Sequence, residues 1–348
     1  MGYRAVVLGA SGFAGGELLR LLSRHPGIEV VAAAASTRTG RPVEELYPWL
    51  ADRRMVFVAV DEALAADADM VFSSLPHGES MRLFGAAPGS GPGKLVVDLA
   101  GDFRLRDPEA RAAWYDASPV QADLGWVYGL TEWHRDEIAA SNRVADPGCY
   151  AAAALLCLAP LVAAGAVRPD PIHIDGLSGV SGAGRAGGAH GEQFGYASAN
   201  ENLRPYAPTG HRHIGEIEQE LGALAGTEVT VSFVPHLVPM TRGLAVTCTA
   251  QTEAGATTAD LSAILAERYR DEAFVRALDG GRLPESRRVA GTNVAEVAAQ
   301  VDERTGRALV FGAIDNLGKG AAGQAVQNAN LMLGFGEDTA LDVAALVP

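Results

Sequence analysis

Cys149 stands in the run ADPGCYAAAALLCLAPL, where Pro147 and Gly148 force a turn just before an alanine- and leucine-rich helix. A thiol at the first turn of a helix meets the positive end of the helix dipole, which favours the thiolate and so makes a nucleophile. The other two cysteines read differently. Cys157 lies within the apolar helix and Cys248 alternates within the strand-like LAVTCTA, both positions of packing residues. A nucleophile needs a base, and the chain has eight histidines. His25 precedes a helix-ending proline and His134 lies in a charged helix, so both are expected to be solvated. His77 (LPHGES) and His236 (VPHLVPMTRG) fall at strand ends, where ligand contact and simple hydrogen bonding fit equally well. His211 and His213, in TGHRHIGEIEQEL, precede a helix beside a glycine turn, a place where an imidazole can be held over a cleft. His213 is favoured as the acid/base, with His211 second. Arg104 (GDFRL), Arg185 (SGAGR) and Arg242 (PMTRG) each sit beside a glycine or a strand end and are candidates to hold an anionic substrate. A thiol, an imidazole and several arginines describe reduction of an activated acyl group through a thioester, provided a hydride donor is bound.

The donor's signal lies near the N-terminus. LGASGFAGGELL places Gly9, Gly12 and Gly15 between a strand pattern and a helix pattern, a GxxGxxG variant of the dinucleotide fingerprint. Glycines let the backbone approach a pyrophosphate, and the helix start supplies amide donors; the alternative is a tight turn without a ligand. At the end of the second strand, where an acidic residue would bond the ribose 2′-hydroxyl of NAD, the chain reads Ala35-Ser36-Thr37-Arg38, with Arg41 beyond. That favours a 2′-phosphate and hence NADP over NAD; a solvated basic turn is the alternative.

These residues need elements to carry them. RAVVLG, Ile28 to Ala35, DMVFSSLP and KLVVDLAGDF are apolar strand patterns interleaved with helical material, which predicts a parallel sheet flanked by helices. From about residue 171 the pattern changes to longer strands rich in β-branched residues (IHIDGLSGV, EVTVSFVPHLV, LAVTCTAQT, VAEVAAQVDE, ALVFGAID), which predicts a second domain on a mixed or antiparallel sheet. The fold class is therefore α/β, an N-terminal Rossmann-type doubly wound sheet followed by an α+β domain with a mixed sheet. The glycine-rich stretch 178–195 carries Arg185, His190 and Glu192 and reads as a functional loop inside the second domain.

Composition narrows the function. A chain of 348 residues, 48% of them hydrophobic, is long enough for about two domains with sizeable cores. Its formal charge of −14 repels nucleic-acid backbones and anionic membranes, so neither is an expected partner. Three cysteines in no metal-ligand spacing predict no metal site and a reducing compartment. The start MGYRAVVLGASG lacks the long apolar stretch of a secretory signal, and Ala151 to Ala166, broken by Pro160 and Gly165, is too short to span a bilayer and reads as a core helix. A cytoplasmic location is expected.

The blocks GASGFAGGELLRLL, LPHGES, DLAGDFRL, PGCY, SGVSGAGR, GHRHIGEIEQEL, PHLVPMTRG and DNLGKGAAGQAVQNANLMLG together resemble the N-acetyl-γ-glutamyl-phosphate reductases of arginine biosynthesis, within the aspartate-semialdehyde dehydrogenase superfamily. The resemblance covers essentially the whole chain. It implies an NADP-binding Rossmann domain over 1–148, a catalytic and dimerisation domain over 149–318, and a C-terminal helix, within 319–348, that returns to the first domain. It also implies that Cys149 is the nucleophile and His213 the acid/base. Ser11, Gly12, Phe13 and Ala14 would cradle the cofactor phosphates beside Gly9 and Gly15, Ser36 and Arg38 would face the 2′-phosphate, and Asn316, Lys319 and Gly320 would approach the cofactor. Arg104, Arg185 and His211 would hold the substrate. The implied reaction is NADPH-dependent reduction of the acyl phosphate to the semialdehyde with loss of phosphate, in a homodimer or homotetramer. Two alternatives stand beside it: a reductase of an aminoadipyl or glutamyl phosphate carried on an amino-group carrier protein, and a non-catalytic NADP-binding regulator. One departure is clear. The family usually has threonine two residues after the tyrosine of PGCY, and here Ala151-Ala152 follow Tyr150.

Overall fold

The apolar runs of the first 145 residues become strands of one sheet. The structure, a computed structural model, describes residues 2–85, 94–115, 124–185, 195–253 and 255–346. Strands β1 (Tyr3–Leu8), β2 (Ile28–Ala34), β3 (Phe57–Val58), β4 (Met70–Ser73), β5 (Leu95–Asp98), β6 (Val127–Tyr128) and β7 (Arg143–Ala145) lie in the order β3-β2-β1-β4-β5-β7-β6. Every pairing in it is parallel. Parallel strands are covered on both faces by their crossover helices, which is why β1 reads as a nearly continuous apolar run and why Met70–Ser73 is buried throughout. The chain reverses direction across the sheet between β1 and β4, the place where such sheets bind ligands.

The second sheet contains β8 (Val167–Ser178), β9 (Arg204–Pro205), β10 (Val231–Leu237), β11 (Leu244–Thr252), β12 (Val275–Ala277), β13 (Ala295–Asp302) and β14 (Arg307–Ile314), ordered β12-β13-β14-β11-β8-β10-β9. It is mixed: β8–β10 and β12–β13 run parallel, the other pairs antiparallel. The α/β class with one parallel and one mixed sheet is thus as expected. Strand β11 alternates buried and half-buried residues along its whole length, the period-two signature of a sheet with one covered face.

The chain divides into two compact units, one of residues 1–147 with 321–342, the other of 148–320 with 343–348. The segment 319–348 is divided between the two units. Its helix Gly323–Leu333 belongs to the first unit, held by a buried polar face: Gln324 donates to Gly129 O (2.9 Å) and Asn328 to Gly129 O (2.9 Å) and Asp146 Oδ1 (3.1 Å). The tail after Asp342 belongs to the second unit, where Leu346 N donates to Ala290 O (2.8 Å).

Two histidines expected in solvent are not there. His25 is buried; its Nε2 bonds Asn330 Oδ1 (2.8 Å), its Nδ1 accepts from Gly27 N (3.1 Å), and burial lowers its pKa. His134 is half-buried against the edge of Tyr128 and bonds Glu137 (3.2 Å). Sequence context showed the neighbouring charges but not the tertiary partners.

The long helix Cys149–Ala163 is the spine of the second unit, and Tyr150 to Val162 are all buried. Pro160 lies inside it and lacks the N–H that would reach Leu156 O. The Tyr269 hydroxyl takes that place, donating to Leu156 O at 2.7 Å. Tyr269→Phe leaves a buried carbonyl without its donor and is expected to cost about 1–3 kcal/mol, read as a lower denaturation midpoint; an unchanged midpoint contradicts this role. In the first unit, Asp98 at the end of β5 is fully buried and accepts from Ser80 Oγ (2.6 Å). Burial pushes its carboxyl up to about 6 against the opposing effect of that hydrogen bond. A carboxyl raised on folding favours the fold while protonated, and the contribution is lost as pH rises from about 4 through 6. Asp98→Asn, which mimics the neutral acid, is expected to gain about 2–3 kcal/mol on the parent between acid and neutral pH, measured by denaturant titration at each pH. A gap that stays constant with pH contradicts it.

Candidate active site

Gly148 is the N-cap of the Cys149 helix, with extended backbone (φ −68°, ψ 144°) and no side chain to offer. What takes the place of a capping side chain comes from another helix. Glu216 lies one turn into the helix His213–Ala225, is fully buried, and its Oε2 accepts from Gly148 N at 2.9 Å. On the same helix face, three residues earlier, His213 packs over Gly148: a Cβ on Gly148 would lie 2.3 Å from His213 Nε2 and 2.5 Å from Cδ2. Only glycine admits the imidazole this close. The ring thus covers the peptide immediately before Cys149, and its Nε2 is 4.0 Å from Glu216 Oε1. From the other side, a Cβ on Gly320 would lie 2.7 Å from the Cys149 Cβ, so a second glycine lets the chain approach the cysteine.

The two histidines of the GHRH block part company here. His211 Nδ1 accepts from His213 N (3.3 Å), which leaves the ring proton of the neutral tautomer on Nε2. Burial, reinforced by Arg212, pushes its pKa down to about 4. His211 is therefore neutral at physiological pH and holds the start of the His213 helix. Its ring meets that of His213 edge to face, with centroids 4.5 Å apart. Next to them Tyr206 Oη donates to Tyr150 Oη (3.3 Å), which reaches His236 O (3.3 Å); burial raises both phenols, so they stay neutral donors. Cys149, His211, His213, Tyr150, Tyr206 and Ser178 line one cavity of about 200 Å³.

Cys157 and Cys248 are buried, as expected of packing residues. A hydrogen bond with Cys157 and then burial push the Cys248 thiol up, which makes it inert. Asn316 is buried and spends its side chain inside the second unit, accepting from Gly243 N (2.7 Å) and donating to Ser181 Oγ (2.8 Å), so that it fixes the Gly179–Gly182 edge of the cavity. Lys319 is fully buried in the π-helical turn Gly318–Ala322. Arg242 is paired with Asp315 (2.5 Å). Arg185 is exposed beside 186–194, which lie outside the described residues together with His190.

The other candidates lie in the first unit. Arg104 is buried, with Nε on Asp146 O (2.6 Å) and Nη2 on Leu99 O (3.0 Å), an arrangement that braces the ends of β5 and β7. At the fingerprint, Gly9 has φ +73° and a Cβ there would lie 2.3 Å from Ser74 O; a Cβ on Gly15 would lie 2.4 Å from Gly9 O. Gly12 N donates to Gly9 O (2.9 Å), closing the turn, and Phe13 and Ala14 open the helix Phe13–Leu22, with Ser11 just before it. The turn is closed so tightly that only glycine fits, and its helix start is free of acidic residues, both of which suit a bound pyrophosphate. At the end of β2, Ser36 is exposed and Arg38 half-buried, while Arg41 is paired with Glu45 (2.6 Å). Arg38, with no ion-pair partner among the described residues, fits a 2′-phosphate better than Arg41.

One position was not singled out by sequence reading. Glu216 is buried inside an amphipathic, acidic helix sequence, and only its three-residue spacing from His213 hints at a shared face. Gly320, expected to approach the cofactor, also packs on the cysteine. Among the described residues no cluster of three or more metal-ligating side chains occurs, and no helix is long and apolar enough to cross a membrane.

Comparison with known proteins agrees with this architecture. Residues 4–141 match the family model described as semialdehyde dehydrogenase, NAD binding domain, and residues 149–316 that described as semialdehyde dehydrogenase, dimerisation domain. The latter match supports an oligomer. The chain is 48% identical to the N-acetyl-γ-glutamyl-phosphate reductase of Thermus thermophilus, over 98% of this chain and 99% of that one. It is 46% identical to the protein of that name from Salinispora tropica, over the full length of both. Solved structures of aspartate semialdehyde dehydrogenase share the fold: that of enzyme II from Vibrio cholerae has a TM-score of 0.73 at 19% identity, and that from Candida albicans with NADP has 0.67 at 19%, each over 96% of this chain and 99% of that one. The chain thus belongs to the semialdehyde dehydrogenase family, alongside relatives named N-acetyl-γ-glutamyl-phosphate reductase.

Proposed function

We propose that this protein reduces N-acetyl-γ-glutamyl phosphate to N-acetylglutamate semialdehyde and phosphate, with NADPH as reductant and Cys149 as covalent nucleophile. The observation that carries the reading is the seating of the His213 imidazole on Gly148, directly before a cysteine at the start of a buried helix. The full-length identity to the reductases supplies the substrate.

In this mechanism the Cys149 thiolate, favoured by the helix start, attacks the acyl carbon. The amides of the helix's first turn stabilise the oxyanion, and phosphate leaves to give a thioester. When bound, the nicotinamide supplies the hydride that reduces the thioester carbon. Cys149 then carries a hemithioacetal, and collapse of that adduct breaks the C–S bond, releases the aldehyde and restores the thiolate. His213 manages the proton on the hemithioacetal oxygen. Glu216 accepts from Gly148 N–H and lies 4.0 Å from that imidazole, which makes it a positioning residue. His211, held neutral, is suited to donate a hydrogen bond from Nε2 to the substrate, with Arg185, two residues beyond the cavity-lining Ala183, as an anion-holding candidate. Ala151 and Ala152 place no hydroxyl next to the cysteine, and the hydroxyls of Tyr150, Tyr206 and Ser178 are among the polar groups that line the cavity. Ser36 and Arg38 would receive the 2′-phosphate. Self-association as a homodimer or homotetramer would use the open face of the second sheet, where Arg168, His173, Gln251 and Arg307 line a shallow hollow.

Cys149→Ser is expected to lower the phosphate-dependent formation of NADPH from the semialdehyde by at least about a hundredfold, with the folded state preserved in circular dichroism. Retention of a tenth of the activity would contradict the covalent step. Glu216→Gln keeps an acceptor for Gly148 N–H but removes the charge; kcat is expected to fall about ten- to hundredfold, with the substrate KM little changed. An unchanged kcat would show that the carboxylate only fills space.

A further inference from the structure

Between β2 and β3 the chain makes two short 3₁₀ turns, Val43–Glu45 and Pro48–Arg53, with Tyr47 between them. Nothing in the sequence around it resembles a ligand motif. In the structure the tyrosine ring is buried, and its hydroxyl lies 3.0 Å from Ala10 O and 3.0 Å from Gly12 O. A phenol has one hydrogen to donate, so the two carbonyls of the glycine turn share it. A turn that offers its amides to an anion points its carbonyls away from that anion, and buried carbonyls need a donor. Tyr47 is that donor for Ala10 O, and it is a second donor for Gly12 O, which also accepts from Gly16 N at 2.9 Å.

The contact has its own sequence cost. A Cβ on Gly16 would lie 2.4 Å from the Tyr47 hydroxyl oxygen and 2.7 Å from Cζ. Gly16 is outside the Gly9-Gly12-Gly15 spacing, and its smallness answers to the tyrosine. Tyr47 is in turn fixed by its own backbone, its N–H donating to Val43 O (2.9 Å) and its carbonyl accepting from Leu50 N (2.9 Å), with Leu50 buried beneath. The stretch that holds the tyrosine also follows directly on Ser36 and Arg38, through the Arg41–Glu45 ion pair.

We infer that Tyr47 is a positioning residue for dinucleotide binding: its hydroxyl clamps the carbonyls of Ala10 and Gly12 and so holds the glycine turn in the shape that receives a pyrophosphate. The inference rests on the NADPH reading above. The test is equilibrium binding of two ligands to the purified enzyme, by nicotinamide fluorescence for NADPH and by its displacement for adenosine 2′-monophosphate, which has the 2′-phosphate but no pyrophosphate. Tyr47→Phe is expected to weaken NADPH about tenfold and leave adenosine 2′-monophosphate unchanged within about twofold, with KM for NADPH raised and kcat retained. Gly16→Ala, which pushes the hydroxyl away from the other side, is expected to weaken NADPH likewise. Equal NADPH binding by parent and Tyr47→Phe overturns the inference while the nucleotide reading stands. Equal weakening of both ligands overturns it in favour of general packing. A parent enzyme that binds no NADPH overturns the nucleotide reading and the inference together.

Discussion

One hydrogen bond ties the site together: the Gly148 N–H donating to the buried Glu216 carboxylate at 2.9 Å. Gly148 has no side chain with which to cap the helix that follows, and a buried helix start leaves amides that must be satisfied. Supplying the acceptor from a neighbouring helix has a second effect, because that helix also carries His213 one turn earlier. The bond that caps the cysteine's helix thereby fixes the register between the two helices and seats the imidazole where it is found. The charge is placed sensibly too, since a carboxylate at a helix N-terminus is favoured by the helix dipole.

Glycine recurs at each point of close approach, for a different reason each time. Gly148 yields space to an imidazole, Gly320 to the cysteine Cβ, Gly9 and Gly15 to backbone within the first turn, and Gly16 to a tyrosine. Buried polar groups are handled with similar economy. A proline in the central helix removes one N–H and a tyrosine hydroxyl from a distant segment replaces it, while the amide side chains of Gln324 and Asn328 serve Gly129 O in the first unit.

Much of this was legible in the sequence. The long β-branched runs gave β8, β10, β11, β13 and β14, and the strand–glycine–helix order at the N-terminus gave the parallel sheet, because in both cases a local period reports the fold. Cys149 and the GHRH block were visible as chemistry-bearing residues beside glycines. What stayed hidden depends on distant partners. Strands of two or three residues such as β3, β6 and β12 have no period to read. His25 is buried by Asn330, more than three hundred positions away in the chain, and Tyr47 and Glu216 matter through backbone atoms of other segments, which no local pattern records. Arg104 was read as a substrate anchor from its neighbourhood, while its guanidinium bonds carbonyl oxygens of its own unit.

The central claim is that the sulfur of Cys149 carries the acyl group between loss of phosphate and arrival of hydride. The direct measurement is the mass of the protein mixed with N-acetyl-γ-glutamyl phosphate in the absence of NADPH and quenched in acid. The account predicts an N-acetylglutamyl adduct on the peptide that contains Cys149, formed with stoichiometric release of phosphate and removed when NADPH is added before the quench. Unmodified Cys149 in an enzyme that turns over fully once NADPH is present would contradict it.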